Sequence, residues 1–290
     1  MAAVLFGLLS ALSLGVADFL ASRTSSRIGA DRALFGMLVV GAVGLTIYGL
    51  SSGAPPPSRL EELLLIFAHG VSLAISLLLF FSALALGPVS VVAPIMGANP
   101  VLVVAYATAA GRVPGFQEAA AMAAVVGGVV AICAMSGEPK PDPRRKSKTL
   151  RSPHATGRVL ALSIGASAVY ALAIVTGQES AAISNEFDTL WLGRAAGLLL
   201  VSALLLLRRR RLAFPTGVRA MVFGHGVLDA AGIAFLLAGG STANPEYTAV
   251  VSSAFCVVTV ILACLILRER ISRGQVAGLA LVIAGVAMLA

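Results

Sequence analysis

Apolar residues in this 290-residue chain run in blocks long enough to cross a bilayer, with short polar breaks between them. A membrane span needs about 20 mainly apolar residues. Blocks of that kind fall at 2–22, 33–51, 63–86, 89–110, 117–136, 157–178, 187–207, 219–239, 247–267 and 274–290. The least obvious break is Gly87-Pro88, a turn signal inside an apolar run too long for one helix. In hydrocarbon every backbone amide must be paired within the chain, so a series of such blocks folds as a bundle of helices. Composition agrees. Only 12% of residues are charged, against roughly 25% in a soluble domain. The expected class is therefore an all-α integral membrane protein with ten transmembrane helices. The N-terminal block has no basic leader or clear cleavage site, so it is read as the first span and not as a secretory signal.

The formal net charge of +8 would point to nucleic acid in a soluble chain. Here the basic residues sit between apolar blocks and report topology instead. If the breaks are numbered in order, 18 of the 21 Lys and Arg lie in odd breaks. Only Arg59 and Arg112 lie in even ones, and Arg194 lies inside a span. Basic loops stay cytoplasmic, so the odd loops are expected inside and both termini outside, as in a multi-pass protein of the bacterial inner membrane. No nucleic-acid partner is expected. Cys133, Cys256 and Cys264 lie inside apolar blocks without metal-ligand spacing and read as small apolar residues. Neither a cofactor nor a metal is expected.

The chain also repeats itself. Phe67-Ala68-His69-Gly70-Val71 recurs as Phe223-Gly224-His225-Gly226-Val227, 156 residues later. Gly36 matches Gly193 at an offset of 157, and Gln117 and Gly127 match Gln275 and Gly285 at 158. The longest polar stretch, 137–156, holds Pro139, Pro141, Pro143 and six of the basic residues. It reads as a cytoplasmic linker between a first five-helix repeat (1–136) and a second (157–290). An odd number of spans per repeat forces the second half to insert upside down, giving two inverted five-helix repeats. Carriers built this way hold their substrate near the midplane, between the halves.

The last segment, Leu267-Arg268-Glu269-Arg270-Ile271 followed by Gln275, Gly278, Leu281-Val282-Ile283 and Gly285-Val286, resembles the ending of EamA-type members of the drug/metabolite transporter superfamily. Arg194 in Trp191-Leu192-Gly193-Arg194 resembles the Arg in the second helix of an EamA unit. The first half departs from this pattern, with Gly111-Arg112 in place of the Glu-Arg pair and Met37 in place of Arg194. The resemblance implies a transporter of small metabolites, often an exporter of amino acids or related solutes. It also implies a cavity lined by the first, third and fourth helices of each half, with the fifth and tenth helices peripheral.

A charge at the bilayer centre costs roughly 2.5–3.5 kcal/mol, so each polar residue in a span needs a reason. His225 and Asp229 stand at i and i+4 on one helical face, and a His beside a carboxylate suits proton coupling. His69 is the repeat mate of His225. Either His can instead tie helices together structurally. Asp229 can serve an ion pair with Arg194, a substrate amine or a proton. Arg194 can bind a carboxylate, or it can snorkel to the interface. Asn99, between Pro94 and Pro100, is a cavity ligand if those prolines free carbonyls for a substrate, and otherwise marks a kink. Tyr170 is a weaker candidate, as is Tyr106. Asp18 is read as lying at the interface near Arg23, and Glu246 with Tyr247 as interfacial.

The expected function is a secondary active transporter of a small metabolite, working by alternating access, with proton coupling through Asp229 and His225 as the hypothesis for its driving force. The alternative is a channel or lipid scramblase built on the same bundle. No enzyme signature is present: the chain lacks a phosphate loop, a nucleophile elbow and a surface cluster of His and acids. Membrane lipids and a small-molecule substrate are the expected partners, in a monomer or homodimer.

Overall fold

A computed structural model describes residues 2–52, 59–111, 115–134, 153–209, 212–267 and 272–289. All secondary structure among these residues is helical: α1 (Ala2–Ile28), α2 (Ala30–Ser52), α3 (Leu60–Leu86), α4 (Val89–Met96), α5 (Pro100–Ala109), α6 (Phe116–Ala134), α7 (Pro153–Ile183), α8 (Glu186–Leu207), α9 (Thr216–Ala238), α10 (Pro245–Ser252), α11 (Phe255–Leu267) and α12 (Arg273–Leu289). Eight segments are long and apolar enough to cross a membrane, with α4–α5 and α10–α11 each counting as one. The helices α6 and α12 contribute shorter apolar stretches. Large apolar side chains also face outward, among them Leu64, Leu199, Leu206 and Leu265. Lipid tails cover such a surface at no cost, whereas water does not. The chain is a multi-pass membrane protein. Most of the linker, Arg112, Arg210, Arg211 and the Arg268-Glu269-Arg270 segment lie outside the described residues.

Local chemistry sets the helix ends. Gly29 takes φ +89° between α1 and α2, a conformation that favours glycine. At the start of α8 the side-chain oxygen of Asn185 accepts from the Asp188 amide at 2.8 Å. A capping box opens α12. The Ser272 amide donates to Gln275 Oε1 at 2.7 Å, and the Gln275 amide donates to Ser272 Oγ at 3.2 Å.

The fourth span breaks where its prolines predict. Pro100 has no amide to offer the Met96 carbonyl. Asn99 supplies the missing donor, its Nδ2 bonding to Met96 O at 2.9 Å. Ser167 of α7 adds a bond to the same oxygen at 3.3 Å. The span made of α10 and α11 also breaks, at Ser253-Ala254, without proline or glycine. Ser252 and Ser253 donate their hydroxyls back to Ala249 O and Val250 O, which competes with the helix amides. The two breaks meet: a Cβ at Gly97 would stand 3.1 Å from Cys256 and 3.3 Å from the Ser253 carbonyl oxygen.

In the packing, α3 lies along α7 and α8, and α9 lies along α1 and α2. α6 pairs with α12. Glycines permit the closest approaches. Gly70 of α3 leaves no room for a Cβ against the backbone of Gly193 in α8, the kind of close approach that small residues permit between membrane helices. Gly226 of α9 is also close to α2, where a Cβ would stand 2.6 Å from Val40 Cβ and 2.8 Å from Met37 O. On the remaining pair, a Cβ at Gly128 would lie 2.6 Å from Gly278 O, and one at Gly285 would lie 2.7 Å from Ala121 O.

Candidate functional site: a buried charge cluster

Five helices bring polar side chains to one place in the bundle. Arg194 of α8 and Asp229 of α9 are 2% and 3% exposed. The Arg194 Nη2 donates to Asp229 Oδ2 at 2.5 Å. The guanidinium lies against the backbone of α2, where a Cβ at Gly41 would stand 2.7 Å from Nη1. Its Nε and Nη1 have no hydrogen-bond partner among the described residues. Arg194 therefore does not snorkel. It is a buried cation whose compensation among those residues is a single carboxylate.

His69 of α3 is held as a rigid ring. Its Nδ1–H donates to the Ala173 carbonyl of α7 at 2.8 Å. Glycines wall the ring on both sides: a Cβ at Gly177 would stand 2.5 Å from Nδ1, and one at Gly193 would stand 2.9 Å from Cδ2. The charge of Arg194 reaches this imidazole. His225 is 1% exposed and lies against the Phe81 ring, with centroids 5.2 Å apart. It feels both Asp229 and Arg194. The expected contact between His225 and Asp229 is only electrostatic. No hydrogen bond joins them among the described residues, the bonded Asp229 oxygen faces Arg194, and His225 Nδ1 is unpartnered.

Tyr170 of α7 is buried within electrostatic range of Asp229 and of Asp18. Asn99 sits elsewhere, at the α4–α5 break. Its Nδ2 serves Met96, and its Oδ1 is buried without a partner among the described residues. Ser167, three residues before Tyr170, links that break to α7.

The residue missed by sequence reasoning is Asp18. It is 8% exposed on α1, and its charge interacts with that of Asp229. Neither an ion pair nor a hydrogen bond to its carboxylate occurs among the described residues. Glu246 and Tyr247 are likewise buried, at 8% and 9% exposure. Tyr106 donates to Glu179 of α7. Among the described residues no group of three or more His, Cys, Asp or Glu could hold a metal ion.

Comparison with known proteins fits this picture. The model of the EamA-like transporter family matches residues 1–134 and again residues 157–290. The chain belongs to the EamA-like transporter family. It is thus a membrane transporter of the drug/metabolite transporter superfamily, and the family is not one of enzymes. A solved structure titled only "Crystal structure of protein" shares the fold of this EamA-like transporter, with a TM-score of 0.73 at 19% identity. The match covers 99% of this chain and 97% of the other. No curated protein matches.

Proposed function

We propose that this EamA-like transporter is a secondary active carrier of a small metabolite, an amino acid or related solute, moved outward by alternating access. The observation that carries the reading is the Arg194–Asp229 pair, buried where helices of both halves meet. Buried charges in a membrane protein mark substrate or ion pathways. Around the pair, His69, Tyr170 and His225 complete the proposed binding or coupling set, and Asn99 joins it from the broken fourth span.

The proposed architecture is ten spans in two inverted halves, 1–136 and 157–290, joined by the linker at 137–156. The contacts support it through their reciprocity. Gly128 meets Gly278, and Gly285 meets Ala121; adding 157 to Ala121 and Gly128 gives residues 278 and 285. In this register Gly285 pairs with Gly128, one residue from the Gly127 read from sequence at an offset of 158. Likewise the pentamer glycines Gly70 and Gly226 each press on the second helix of the opposite half. A two-fold axis relating the halves produces such pairs. The charge bias places both termini outside and the linker in the cytoplasm of a bacterial inner membrane, with the protein a monomer or homodimer among lipids.

Flux of labelled amino acids and related metabolites into proteoliposomes of purified protein tests the carrier. Saturable, substrate-specific exchange is expected, accelerated by a pH gradient if His225 and Asp229 handle protons. Ion currents far above carrier turnover would instead identify a channel, and lipid translocation without solute exchange a scramblase.

A further inference from the structure

Two adjoining depressions open at the end of the bundle where α3 begins and α7 ends. A groove of about 780 Å³ lies between Glu61, Leu64 and Leu65 of α3 and Glu179, Ala182 and Ile183 of α7. Beside it a cleft of about 90 Å³ runs between α5, α7 and the start of α10, reaching Val103, Tyr106, Gln178 and Glu246. Glu179 walls both. It also accepts a hydrogen bond from the Tyr106 hydroxyl, so α5 is tied to α7 where groove and cleft adjoin. The next residue ties α7 elsewhere: Gln178 Nε2 donates to Pro245 O of α10 at 3.2 Å. The two bonds differ in kind. Tyr106 lies in the first stretch matched by the family model and Glu179 in the second, whereas Gln178 and Pro245 both lie in the second.

The walls of the cleft lead inward to the broken fourth span. On α5, Ala107 and Val103 line the cleft, and Asn99 follows on the same face one turn deeper. On α7, Ala182, Gln178 and Val175 line it, and Ala171 and Ser167 continue that stripe. Both stripes end on one atom. The Met96 carbonyl oxygen accepts from Asn99 Nδ2 at 2.9 Å and from Ser167 Oγ at 3.3 Å. Asn99 Oδ1 is buried there without a partner among the described residues. Between this point and the cleft, Val103 and Ala171 are buried, so the way is shut.

The helix that shuts it is short and bounded by two swivels. α5 has 10 residues, begins at the Gly97–Asn99 break with Pro100 in its first turn, and packs on α7 and α10. Gly111, just past its end, takes φ +86°, and a Cβ there would meet nothing. Hinges are a few element-terminal residues that absorb a change of backbone angle.

We infer that the Tyr106–Glu179 bond is the latch of a solute passage. When α5 swings away from α7, groove and cleft join into a path that ends at Asn99. Tyr106 and Glu179 are then positioning residues, and the Gln178–Pro245 bond stays made because both of its ends move together. This rests on the carrier reading above, and under the topology proposed there the passage opens outward.

Thiol labelling of the full-length protein in detergent tests the latch. Val103→Cys, one turn below Tyr106, is treated with a charged methanethiosulfonate, and its rate is taken above that of the native cysteines. Adding Tyr106→Phe, which deletes only the hydroxyl, should speed labelling about tenfold, the effect of losing one hydrogen bond to a charged acceptor. Adding Glu179→Ala should do the same. Leu64→Cys, in the groove outside the latch, should label at one rate in all backgrounds. In proteoliposomes, bridging Tyr106→Cys to Glu179→Cys with a short bifunctional methanethiosulfonate should stop solute exchange, and reduction should restore it. Bridging Gln178→Cys to Glu246→Cys should leave exchange running. The inference is overturned if neither variant speeds labelling of Val103→Cys, if Leu64→Cys speeds up equally, or if the bridged Tyr106→Cys/Glu179→Cys protein still exchanges solute. Faster labelling without exchange of any solute by the unbridged protein refutes the carrier alone, and exchange with unchanged labelling refutes the latch alone.

Discussion

Replacing Asp229 with Asn is the most direct perturbation of the buried pair. The guanidinium of Arg194 makes one ion pair among the described residues, and its Nε and Nη1 are already without partners there. The Asn amide keeps the shape of the side chain but removes the compensating charge. Breaking a buried pair by removing one partner costs about 3–5 kcal/mol, because the other charge is left behind. At about 2–4 °C per kcal/mol, the unfolding temperature should fall by roughly 6–20 °C. Arg194→Met should be similarly costly, since it leaves Asp229 beside Asp18. The double variant Arg194→Met/Asp229→Leu removes both charges at once and should recover most of the loss, because an apolar replacement of a buried pair is often neutral or stabilising. Unfolding of wild type, Asp229→Leu, Arg194→Met and the double variant in one detergent, read through Trp191, closes the cycle. A coupling energy of about 3 kcal/mol or more is expected. If Asp229→Asn unfolds within about 0.5 kcal/mol of wild type, or if the two single losses simply add, the pair does not carry the energy assigned to it.

Other consequences can be checked by expression, folding and labelling. Gly70→Leu drives a side chain into the Gly193 backbone, where even a Cβ does not fit; loss of folded protein is expected by size-exclusion chromatography. Gly177→Ala displaces the His69 ring and should cost about 1–3 kcal/mol of stability, detected by thermal unfolding, and a neutral outcome would show that the ring is not fixed. Asn99→Ala withdraws the amide that serves Met96 O and should cost about 1 kcal/mol, less than a full loss because Ser167 bonds the same oxygen. A cysteine introduced in the 137–156 linker should be shielded from impermeant maleimide in intact cells, whereas one beside Arg59 should be labelled; the reverse pattern would invert the proposed topology.

Much of the bundle was legible because hydrocarbon allows so few backbone solutions. Long apolar blocks locate helices, and Pro94 and Pro100 mark a break. The break at Ser253-Ala254 was not legible, since serines that bond back to their own helix leave hydropathy unchanged. The burial of Asp18 was hidden for a similar reason. The polar run Ser22-Arg23-Thr24-Ser25-Ser26 looks like a helix end, but α1 continues to Ile28. Thr24 bonds back to Leu20 O and Ala21 O within that run. At 1.5 Å per residue this leaves Asp18 about 15 Å from the end of its helix. The ion pair of Asp229 with Arg194 was among the roles read for Asp229 from the sequence, and the structure has it. Spacing along one helix puts His225 and Asp229 on the same face, but it does not say that no hydrogen bond joins them among the described residues.

The family model matches both halves, and the halves differ in their polar residues. Both retain the pentamer histidine and its glycine, and the glycines serve packing. The paired charges have no such copies. The residue 156 before Asp229 is Leu73, and the residue 157 before Arg194 is Met37. Both are buried apolar residues. The second half therefore carries the ion pair, and the first half builds its seat: Gly41 gives the guanidinium its space, and Gly70 lets α8 come close. The histidines differ in the same sense. His69 is tied to Ala173 O of α7, whereas the residue 156 before Ala173 is Ala17, whose neighbour is Asp18. The Nδ1 of His225 makes no corresponding bond to α1 among the described residues. One histidine is thus bound into the frame and the other is left with an open nitrogen beside the cluster. If the halves exchange roles during transport, His225 is the one free to change partners. Cross-linking α1 to α9 near Ala17 and His225 should then arrest exchange, while a cross-link between α6 and α12 should not.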